Sequence, residues 1–376
     1  MRIVVSAGGT GGHIYPALAI INKIKDLEPN SEILYIGTTD RMEKDLIPEL
    51  GIPYVGIPMR GLDRKHLIDN IKVFHMYRKA IKQAKKEIIK FNPDVVIGVG
   101  GYITAPVIIA AHKAGYKTVI HEQNSIPGVS NKHLENKVNK ILVSLPKTVE
   151  YFDKNKVVYT GNPRSEEIVE IKPASKKELG LSENKKLVVI VMGSLGSATI
   201  NAKELEIVPE FKGKGYEVIL VTGERYFNDY KEIKIPSNVK VVPFLKNFIN
   251  VLKVTDLIVS RAGASTIAEI TAIGLPSILV PSPYVTNNHQ FKNAKELEEA
   301  GACKILEEKD FDKNNLISMI DEILNNQKEY ENMKTCTKKL GVVDSATKVY
   351  NEIKKVVEDR KWKSFLKKLK KKVLVK

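Results

Sequence analysis

The chain has 376 residues, a length that fits two domains of ordinary size better than a single core. Hydrophobic residues make up 43% and charged residues 28%, a composition typical of globular proteins that excludes a disordered or fibrous chain. The two cysteines, Cys303 and Cys336, form no CxxC pair, which argues against a disulfide framework or structural zinc site and favours a reducing compartment.

The net charge of +16 is unevenly distributed. Residues 1–164 contain 24 Lys/Arg and 15 Asp/Glu, residues 165–351 contain 25 and 26, and residues 352–376 contain 11 and 3. This positive charge favours contact with phosphates, nucleic acid or anionic lipid, but it does not indicate which of them is bound. The opening apolar run is too short for a signal peptide, and no later run reaches the roughly 18 to 20 residues that span a bilayer. We therefore expect a cytoplasmic location.

Short runs rich in Ile and Val alternate with helix-like stretches, which predicts an α/β fold of parallel βαβ units. Strands are predicted at 2–6, 33–36, 94–99 and 117–121 in a first, Rossmann-like domain. The pattern restarts at 187–192, with further strands predicted near 217–222, 239–242, 256–260 and 277–280. We expect the domain boundary within 161–186 and a ligand in the crevice that faces the carboxyl ends of the strands.

The first predicted turn has the sequence Ser6-Ala7-Gly8-Gly9-Thr10-Gly11-Gly12-His13 and joins a strand to a helix. Its glycines let backbone N–H groups approach a ligand, and the start of a helix favours anionic groups. The spacing is not GxGxxG, so a dinucleotide site fits poorly. A plain strand-to-helix turn without a ligand remains the alternative.

Two further turns are expected at strand ends in the second domain. The first is Met192-Gly193-Ser194-Leu195-Gly196-Ser197, and the second begins at Ser260 and runs through Gly263 to Glu269. Thr266 and Glu269 have the spacing of a capping box, which is a purely structural explanation for both. Alternatively, the helix start faces a diphosphate and the Glu269 carboxylate accepts hydrogen bonds from a ribose diol.

Three polar segments are weaker candidates. His121-Glu122-Gln123-Asn124 ends an apolar strand, and Asn287-Asn288-His289-Gln290 with Asn293 forms a similar cluster in the second domain. A single histidine in such a place is more often structural than catalytic. Asp310-Phe311-Asp312 resembles a metal-binding DxD pair but lies in a charged stretch, so we interpret it as a solvated loop and expect no metal site.

The ordered set of motifs resembles that of the MurG family, the peptidoglycan lipid-intermediate N-acetylglucosaminyltransferases of glycosyltransferase family 28. The matching segments are Gly8 to His13, Gly100-Gly101-Tyr102 with Pro106, His121 to Asn124 with Pro127-Gly128 and Asn131, Gly161 to Arg164, Ser260 to Glu269, and Asn288-His289-Gln290 with Asn293-Ala294. The resemblance implies a GT-B architecture, in which two Rossmann-like domains enclose a deep cleft. It also implies inverting transfer of N-acetylglucosamine from UDP-N-acetylglucosamine to the muramic acid 4-hydroxyl of an undecaprenyl-pyrophosphoryl precursor, lipid I to lipid II, without a cofactor.

The resemblance also implies a division of roles along the chain. Residues 1–164 would bind the acceptor and face the membrane, 165–345 would bind the UDP-sugar, and 346–376 would form a C-terminal helix and basic tail. The implied donor site comprises Thr10, Gly11, Gly12, Asn124, Arg164, Ser194, Leu245, Ala264, Ser265, Thr266, Glu269 and Gln290. Departures from the family pattern are Met192, Leu195 and Ser197 in the second turn and the position of Arg164 directly after Pro163.

We predict His13 and Glu269 as the catalytic residues. Inversion by one displacement needs a base for the acceptor hydroxyl, and a helix start would lower the pKa of His13 and keep it neutral. The alternative is that His13 positions an acceptor phosphate or caps the turn.

Membrane contact is predicted from two basic amphipathic segments. Residues 65–90 place apolar side chains at near-helical spacing, mostly packed on their own domain, with lysines and arginines between them. In the tail, Trp362, Phe365, Leu366, Leu369 and Val373 share one helical face surrounded by lysines, which predicts an interfacial helix. We therefore expect a peripheral protein on the cytoplasmic face of the cell membrane that binds anionic lipid.

Other functions remain open at this point. The alternatives are another GT-B enzyme, such as a glycolipid glycosyltransferase or a UDP-N-acetylglucosamine epimerase, and a non-catalytic nucleotide-sugar-binding subunit. Nucleic acid is not an expected partner, because only charge suggests it and no recognition motif is present.

Overall fold

The computed structural model describes residues 1–61, 70–193 and 196–373. The chain divides into two compact units, one formed by Met1–Arg164 with Asp344–Lys376 and the other by Ser165–Val343.

The first unit contains a parallel seven-stranded sheet of order β3-β2-β1-β4-β5-β6-β7. The strands are β1 Arg2–Ala7, β2 Glu32–Thr38, β3 Tyr54–Ile57, β4 Val95–Gly100, β5 Lys117–Glu122, β6 Lys140–Val143 and β7 Val157–Tyr159. The helices between them are α1 Gly11–Leu27, α2 Glu43–Glu49, α3 Asn70–Phe91, α4 Thr104–Lys113 and α5 Val129–Leu134, with 3-10 helices Glu135–Lys137 and Pro146–Tyr151. All six residues of β4 are buried, as expected for a parallel strand covered on both faces.

The second unit contains a parallel six-stranded sheet of order β10-β9-β8-β11-β12-β13. Its strands are β8 Leu187–Val191, β9 Glu217–Val221, β10 Val239–Val242, β11 Leu257–Ser260, β12 Ser277–Leu279 and β13 Lys304–Ile305. The helices are α6 Arg164–Glu170, α7 Ala198–Ile207, α8 Phe248–Leu252, α9 Ala264–Ile273, α10 His289–Glu299, α11 Lys313–Asn325 and α12 Gln327–Leu340. The 3-10 helices are Val208–Phe211, Phe227–Glu232, Thr286–Asn288 and Glu308–Asp310.

The predicted α/β class with two Rossmann-like sheets is therefore confirmed. In each sheet the strand order reverses beside the first strand, between β1 and β4 and between β8 and β11. Ligands of open parallel sheets bind outside the carboxyl ends of strands at such a switch point.

The last helix, α13 Ser345–Val373, belongs to the first unit, whereas the sequence placed 346–376 in a segment of its own. Val349, Ile353 and Val357 are buried in the core that surrounds β1. Tyr350 also donates a hydrogen bond to Glu28 Oε1 at 2.9 Å. Apolar packing thus joins the start of this helix to the first unit.

No helix in the described parts of the chain is both long enough and apolar enough to cross a bilayer.

Candidate active site

A buried carboxylate on α2 accepts hydrogen bonds from the glycine turn of the first unit and from the end of β2. Glu43 accepts hydrogen bonds from the Gly9 N–H at 3.2 Å and from the Thr38 hydroxyl at 2.7 Å. A Cβ at Gly8 would lie 2.5 Å from Glu43 Oε1, so the backbone can approach the carboxylate only because this residue is glycine. Thr10 is the N-cap of α1, and its carbonyl accepts from the His13 N–H at 3.1 Å. No local pattern in the sequence indicates this role of Glu43, which lies 34 residues away from Gly9.

His13 lies in the first turn of α1, at the switch point between β1 and β4. Gly100, the last residue of β4, has a φ of +112°, and a Cβ there would lie 2.8 Å from His13 Cε1 and overlap the ring. His13 Nδ1 is 3.1 Å from Gln123 Oε1. The imidazole is thus placed between the end of β4 and the segment that follows β5.

The segment after β5 folds around a second buried carboxylate. Glu122 is 2% exposed and accepts from the backbone N–H groups of Asn124 at 3.0 Å and Gly128 at 2.9 Å. The Asn131 side chain donates to the same carboxylate at 2.8 Å. Asn124, predicted in the donor site, is therefore fixed in position by its neighbour.

Arg164 is the last residue of the Met1–Arg164 segment of the first unit and also the first residue of α6. Its guanidinium carbon lies 5.5 Å from the ring centre of Tyr15, on the helix that also holds His13. Its backbone N–H donates to Asn162 Oδ1 at 3.2 Å. The predicted donor-site residues Gly11, Gly12 and Arg164 thus lie at or near the first turn of α1 in this unit.

The second unit has its own glycine turn between β8 and α7. Gly193 and Gly196 have φ angles of +96° and +72°, and a Cβ at Gly196 would overlap the Thr222 carbonyl oxygen. Met192, noted as a departure from the family, is 4% exposed and packs in the core of this unit. Ser194 and Leu195 lie outside the described residues, and the Ser194 prediction with them.

Helix α9 begins at Ala264, directly after Gly263 in extended conformation. A capping box would require Thr266 at the N-cap, but Gly263 occupies that position and supplies no side-chain cap. The capping-box alternative is therefore wrong. The first backbone N–H groups of α9, at Ala264, Ser265 and Thr266, have no carbonyl partners within the helix. Glu269 follows one turn later and is half-buried.

A cavity of about 440 Å³ lies at the carboxyl ends of β8, β11 and β12. It is lined by Met192, Gly193, Gly196, Ser197, Arg261, Gly263, Thr266, Ser282, Tyr284 and Gln290. Because α7 and α9 follow the adjacent strands β8 and β11, both helices begin at this cavity, and their N-termini favour a phosphate group. Gln290 Oε1 accepts from the Ser282 N–H at 2.9 Å, which leaves the amide nitrogen as the end that can donate to a ligand.

Other predicted residues lie apart from this lining. Ala264 and Ser265 are half-buried in the first turn of α9, and Leu245 is 9% exposed and packs in a core cluster with Val221 and Val251. Asp312 caps α11, where it accepts from the Asn315 N–H at 2.9 Å. The DxD-like segment thus starts a helix.

An ion pair that the sequence did not indicate borders the cavity. Arg261 Nη2 lies 2.5 Å from Glu308 Oε2 and donates to Ser197 Oγ at 3.0 Å. The other oxygen of Glu308 accepts from Thr199 Oγ1 at 2.5 Å. The positive charge of Arg261 is therefore compensated within the protein.

Comparison with known proteins agrees with this arrangement. Residues 3–143 match the glycosyltransferase family 28 N-terminal domain, and residues 187–349 match the glycosyltransferase family 28 C-terminal domain. Two relatives are named UDP-N-acetylglucosamine–N-acetylmuramyl-(pentapeptide) pyrophosphoryl-undecaprenol N-acetylglucosamine transferase. The one from Bacillus cereus is 47% identical and the one from Bacillus cytotoxicus 48% identical, each over 363 residues that cover 95% of this chain and all of the relative.

Solved structures show the same similarity. MurG of Acinetobacter baumannii is 25% identical, with a TM-score of 0.78 over 94% of this chain and 99% of that one. A UDP-GlcNAc 2-epimerase from Neisseria meningitidis has a TM-score of 0.67 over 94% of this chain and 100% of its own, but at 14% identity this likeness concerns the fold alone. Because both domains of this family match and full-length relatives are 47% and 48% identical, the chain belongs to glycosyltransferase family 28.

Proposed function

We propose that this protein transfers N-acetylglucosamine from UDP-N-acetylglucosamine to the muramic acid 4-hydroxyl of the undecaprenyl-pyrophosphoryl peptidoglycan precursor, with inversion at the anomeric carbon. The observation that most supports this function is the identity of nearly half of all residues to transferases named for this reaction, along their whole length.

The donor binds in the second unit. The N-termini of α7 and α9 stabilise the diphosphate, and this stabilisation increases as UDP leaves with its negative charge. Thr266 and Gln290 line the cavity and offer a hydroxyl and an amide to the donor. Ser194, Leu245, Ala264 and Ser265 also belong to the proposed donor site, and Glu269 accepts hydrogen bonds from the ribose diol.

The acceptor binds in the first unit. The 4-hydroxyl attacks the anomeric carbon while His13 takes its proton, so a bond forms to the acceptor oxygen as the bond to the UDP oxygen breaks. Thr10, Gly11, Gly12, Asn124 and Arg164, which lie in the first unit, stay proposed as donor-binding residues. The reaction needs no covalent enzyme intermediate.

The lipid-linked acceptor and the charge distribution support attachment to an anionic membrane surface as a peripheral protein on the cytoplasmic side. Most of the described apolar positions predicted for helix α3 pack on their own domain: Ala84 and Ile88 are buried, and Tyr77 and Ile81 contact the same core. Ile71 and Phe74 are the exceptions, at 73% and 62% exposed. The exposed pair lies beside basic residues such as Lys72 and Arg78, a combination suited to the lipid interface. Residues 65–69 of this predicted helix lie outside the described residues.

The deciding experiment incubates the protein with labelled UDP-N-acetylglucosamine and a short-chain lipid precursor. We expect disaccharide-lipid product and UDP from the wild type, and at least about 100-fold less product from His13→Ala. Glu269→Ala should weaken UDP binding, measured by calorimetry. Absence of product from the wild type would contradict the proposed activity. If UDP still bound, that result would favour a non-catalytic nucleotide-sugar-binding subunit, whereas transfer to a different lipid acceptor would favour another glycolipid glycosyltransferase.

A further inference from the structure

A histidine can act as a base only through the ring nitrogen that has the lone pair, and its surroundings decide which nitrogen that is. We propose that Gln123 and His121 are positioning residues for His13. In this proposal, a one-directional chain of hydrogen bonds places the His13 proton on Nδ1 and the lone pair on Nε2. This inference deepens the proposed function and rests on it for its catalytic meaning, although the position of the proton can be tested without it.

The first step concerns the orientation of the Gln123 side chain, which is 1% exposed. Its Nε2 lies 2.9 Å from the Val99 carbonyl oxygen and 3.1 Å from the His121 carbonyl oxygen. Carbonyl oxygens only accept hydrogen bonds, so the atom that faces both of them must be the NH₂ group. The other atom of the amide, which faces His13, is therefore the oxygen.

The second step concerns His121, which is fully buried at the end of β5. Its Nε2 lies 3.1 Å from the Gly161 carbonyl oxygen and must donate. Its Nδ1 lies 3.0 Å from the Gln123 NH₂ group, which cannot accept a hydrogen bond, so Nδ1 must be unprotonated. Only the neutral ring with its proton on Nε2 satisfies both contacts. Burial lowers the pKa of His121 to about 4, opposed by the hydrogen bond to Gly161, so this neutral ring is the form present at pH 7.

The third step follows at His13. Gln123 Oε1 has no hydrogen, so His13 Nδ1 must donate across the 3.1 Å contact. Gly100 also lies beside this ring, since a Cβ added there would be 3.0 Å or less from three ring atoms of His13. In the neutral imidazole the proton is then on Nδ1, and Nε2 is the proton-accepting atom.

The group that accepts the hydrogen bond from His13 is the neutral amide of Gln123, and the charge of this group affects how readily the imidazole is protonated. A carboxylate in the place of Gln123 would stabilise the imidazolium and raise the pKa of His13, whereas the neutral amide orients the ring without adding a charge. Titratable groups on the surrounding elements are Tyr15 on α1, Glu43 on α2, Tyr102 after β4, His121 and Glu122 on β5, and Arg164 on α6.

The test measures the tautomer directly. Two-bond ¹H–¹⁵N correlation spectra at pH 8 report the protonated nitrogen of each of the seven histidine rings, and a His13→Asn variant identifies the His13 signals. We expect His13 with its proton on Nδ1 in the wild type, and loss of that signature in Gln123→Met. A wild-type spectrum with the His13 proton on Nε2 would overturn the proposal even if Gln123→Met failed to fold.

Kinetics give an independent readout of positioning. In Gln123→Met we expect kcat to fall by about 100-fold with an unchanged KM for UDP-N-acetylglucosamine. Gln123→Glu restores an acceptor oxygen and should recover part of kcat, with the acid limb of the pH profile shifted to higher pH. Gln327→Met, the same change at an exposed position, serves as the control.

These experiments distinguish a failure of the positioning role from a failure of the proposed function. An active wild type with the proton on Nε2, or an unchanged kcat in folded Gln123→Met, contradicts the positioning role alone. A wild type with the proton on Nδ1 that makes no disaccharide contradicts the proposed function and leaves the tautomer assignment in place.

Discussion

Arg261 and Glu308 form a nearly buried ion pair at the carboxyl edge of the second sheet, with side chains 11% and 9% exposed. The same guanidinium donates to the hydroxyl of Ser197, the N-cap of α7, and to the carbonyl of Val280, which follows β12. One cation therefore joins the ends of β11 and β12 to the start of α7, next to the proposed donor cavity.

We predict that Glu308→Gln lowers the stability of the second unit, because it leaves the nearly buried Arg261 cation without its counter-charge. Breaking a buried pair from one side costs about 3 kcal/mol or more. For a unit of this size that corresponds to a decrease of Tm by roughly 6 °C or more, measured by calorimetry. The double variant Arg261→Met with Glu308→Leu should recover part of this loss. A single variant with wild-type Tm would contradict the ion-pair role.

We predict that Gly100→Ala abolishes most activity by displacing His13, since the added Cβ would overlap the imidazole. A displacement of about 1 Å at a reacting group can cost roughly 100-fold in rate. Gly115→Ala is the matched control, because Gly115 also has a positive φ, +79°, but an added Cβ would have no neighbour within 4 Å.

Steady-state transfer assays should therefore show a lower kcat for Gly100→Ala and a kcat close to wild type for Gly115→Ala. Equal losses in both variants would indicate that backbone strain, rather than contact with His13, is the cause.

The sequence predicted most of the strands that position these residues, because buried parallel strands are continuous Ile/Val runs followed by glycine turns. It did not predict β3, β6, β7 or β13, which have at most four residues each. Gly8, Gly100 and Gly196 were noted as motif residues, but only the folded chain shows that each is required by close contact with Glu43, His13 and Thr222.

The contacts of the buried carboxylates Glu43 and Glu308 could not be predicted from the sequence, because their partners are distant along the chain. Glu308 lies 109 residues from the Thr199 hydroxyl that it binds, and nothing in the local pattern around either residue indicates the contact. The capping-box interpretation was wrong although its local pattern was present. Thr266 and Glu269 have the right spacing, but the extended backbone at Gly263 makes that glycine the N-cap.

A buried carboxyl in the second unit predicts how stability depends on pH. Burial raises the pKa of Glu204 from 4.5 to about 7, against the opposing effects of the Tyr230 hydroxyl and Arg261. The folded state then binds a proton more tightly than the unfolded state, so this group stabilises the fold below about pH 4.5. That contribution is lost as pH rises through about 7 and amounts to about 3 kcal/mol.

The Glu204→Gln variant should not lose stability as pH rises through about 7, because the amide is neutral at every pH and its oxygen still accepts from Tyr230. Between pH 5 and pH 8 the Tm of the wild type should fall relative to the variant by roughly 5 °C or more. Glu206→Gln, an exposed change on the same helix, should follow the wild type. Parallel Tm curves for wild type and Glu204→Gln would contradict the raised pKa.

The basic tail gives the last prediction. The family match ends at residue 349, and residues 361–376 contain eight lysines, with Trp362, Phe365 and Leu369 at helical spacing. Lysines near an anionic surface contribute up to about 1 kcal/mol each, so deletion of 361–376 should lower partitioning onto anionic vesicles by about 10-fold or more. Binding of UDP, measured by calorimetry, should not change.

Replacing Trp362, Phe365 and Leu369 by Gln keeps all eight lysines and separates insertion from charge attraction. If the tail is an interfacial helix, this triple variant should lose vesicle binding at 0.5 M salt, where screening removes most of the electrostatic attraction and only apolar insertion persists. If charge alone acts, the triple variant should sediment with vesicles as the wild type does at low salt. Unchanged sedimentation of the deletion variant would show instead that the rest of the first unit, with Ile71 and Phe74 exposed on α3, is sufficient for membrane contact.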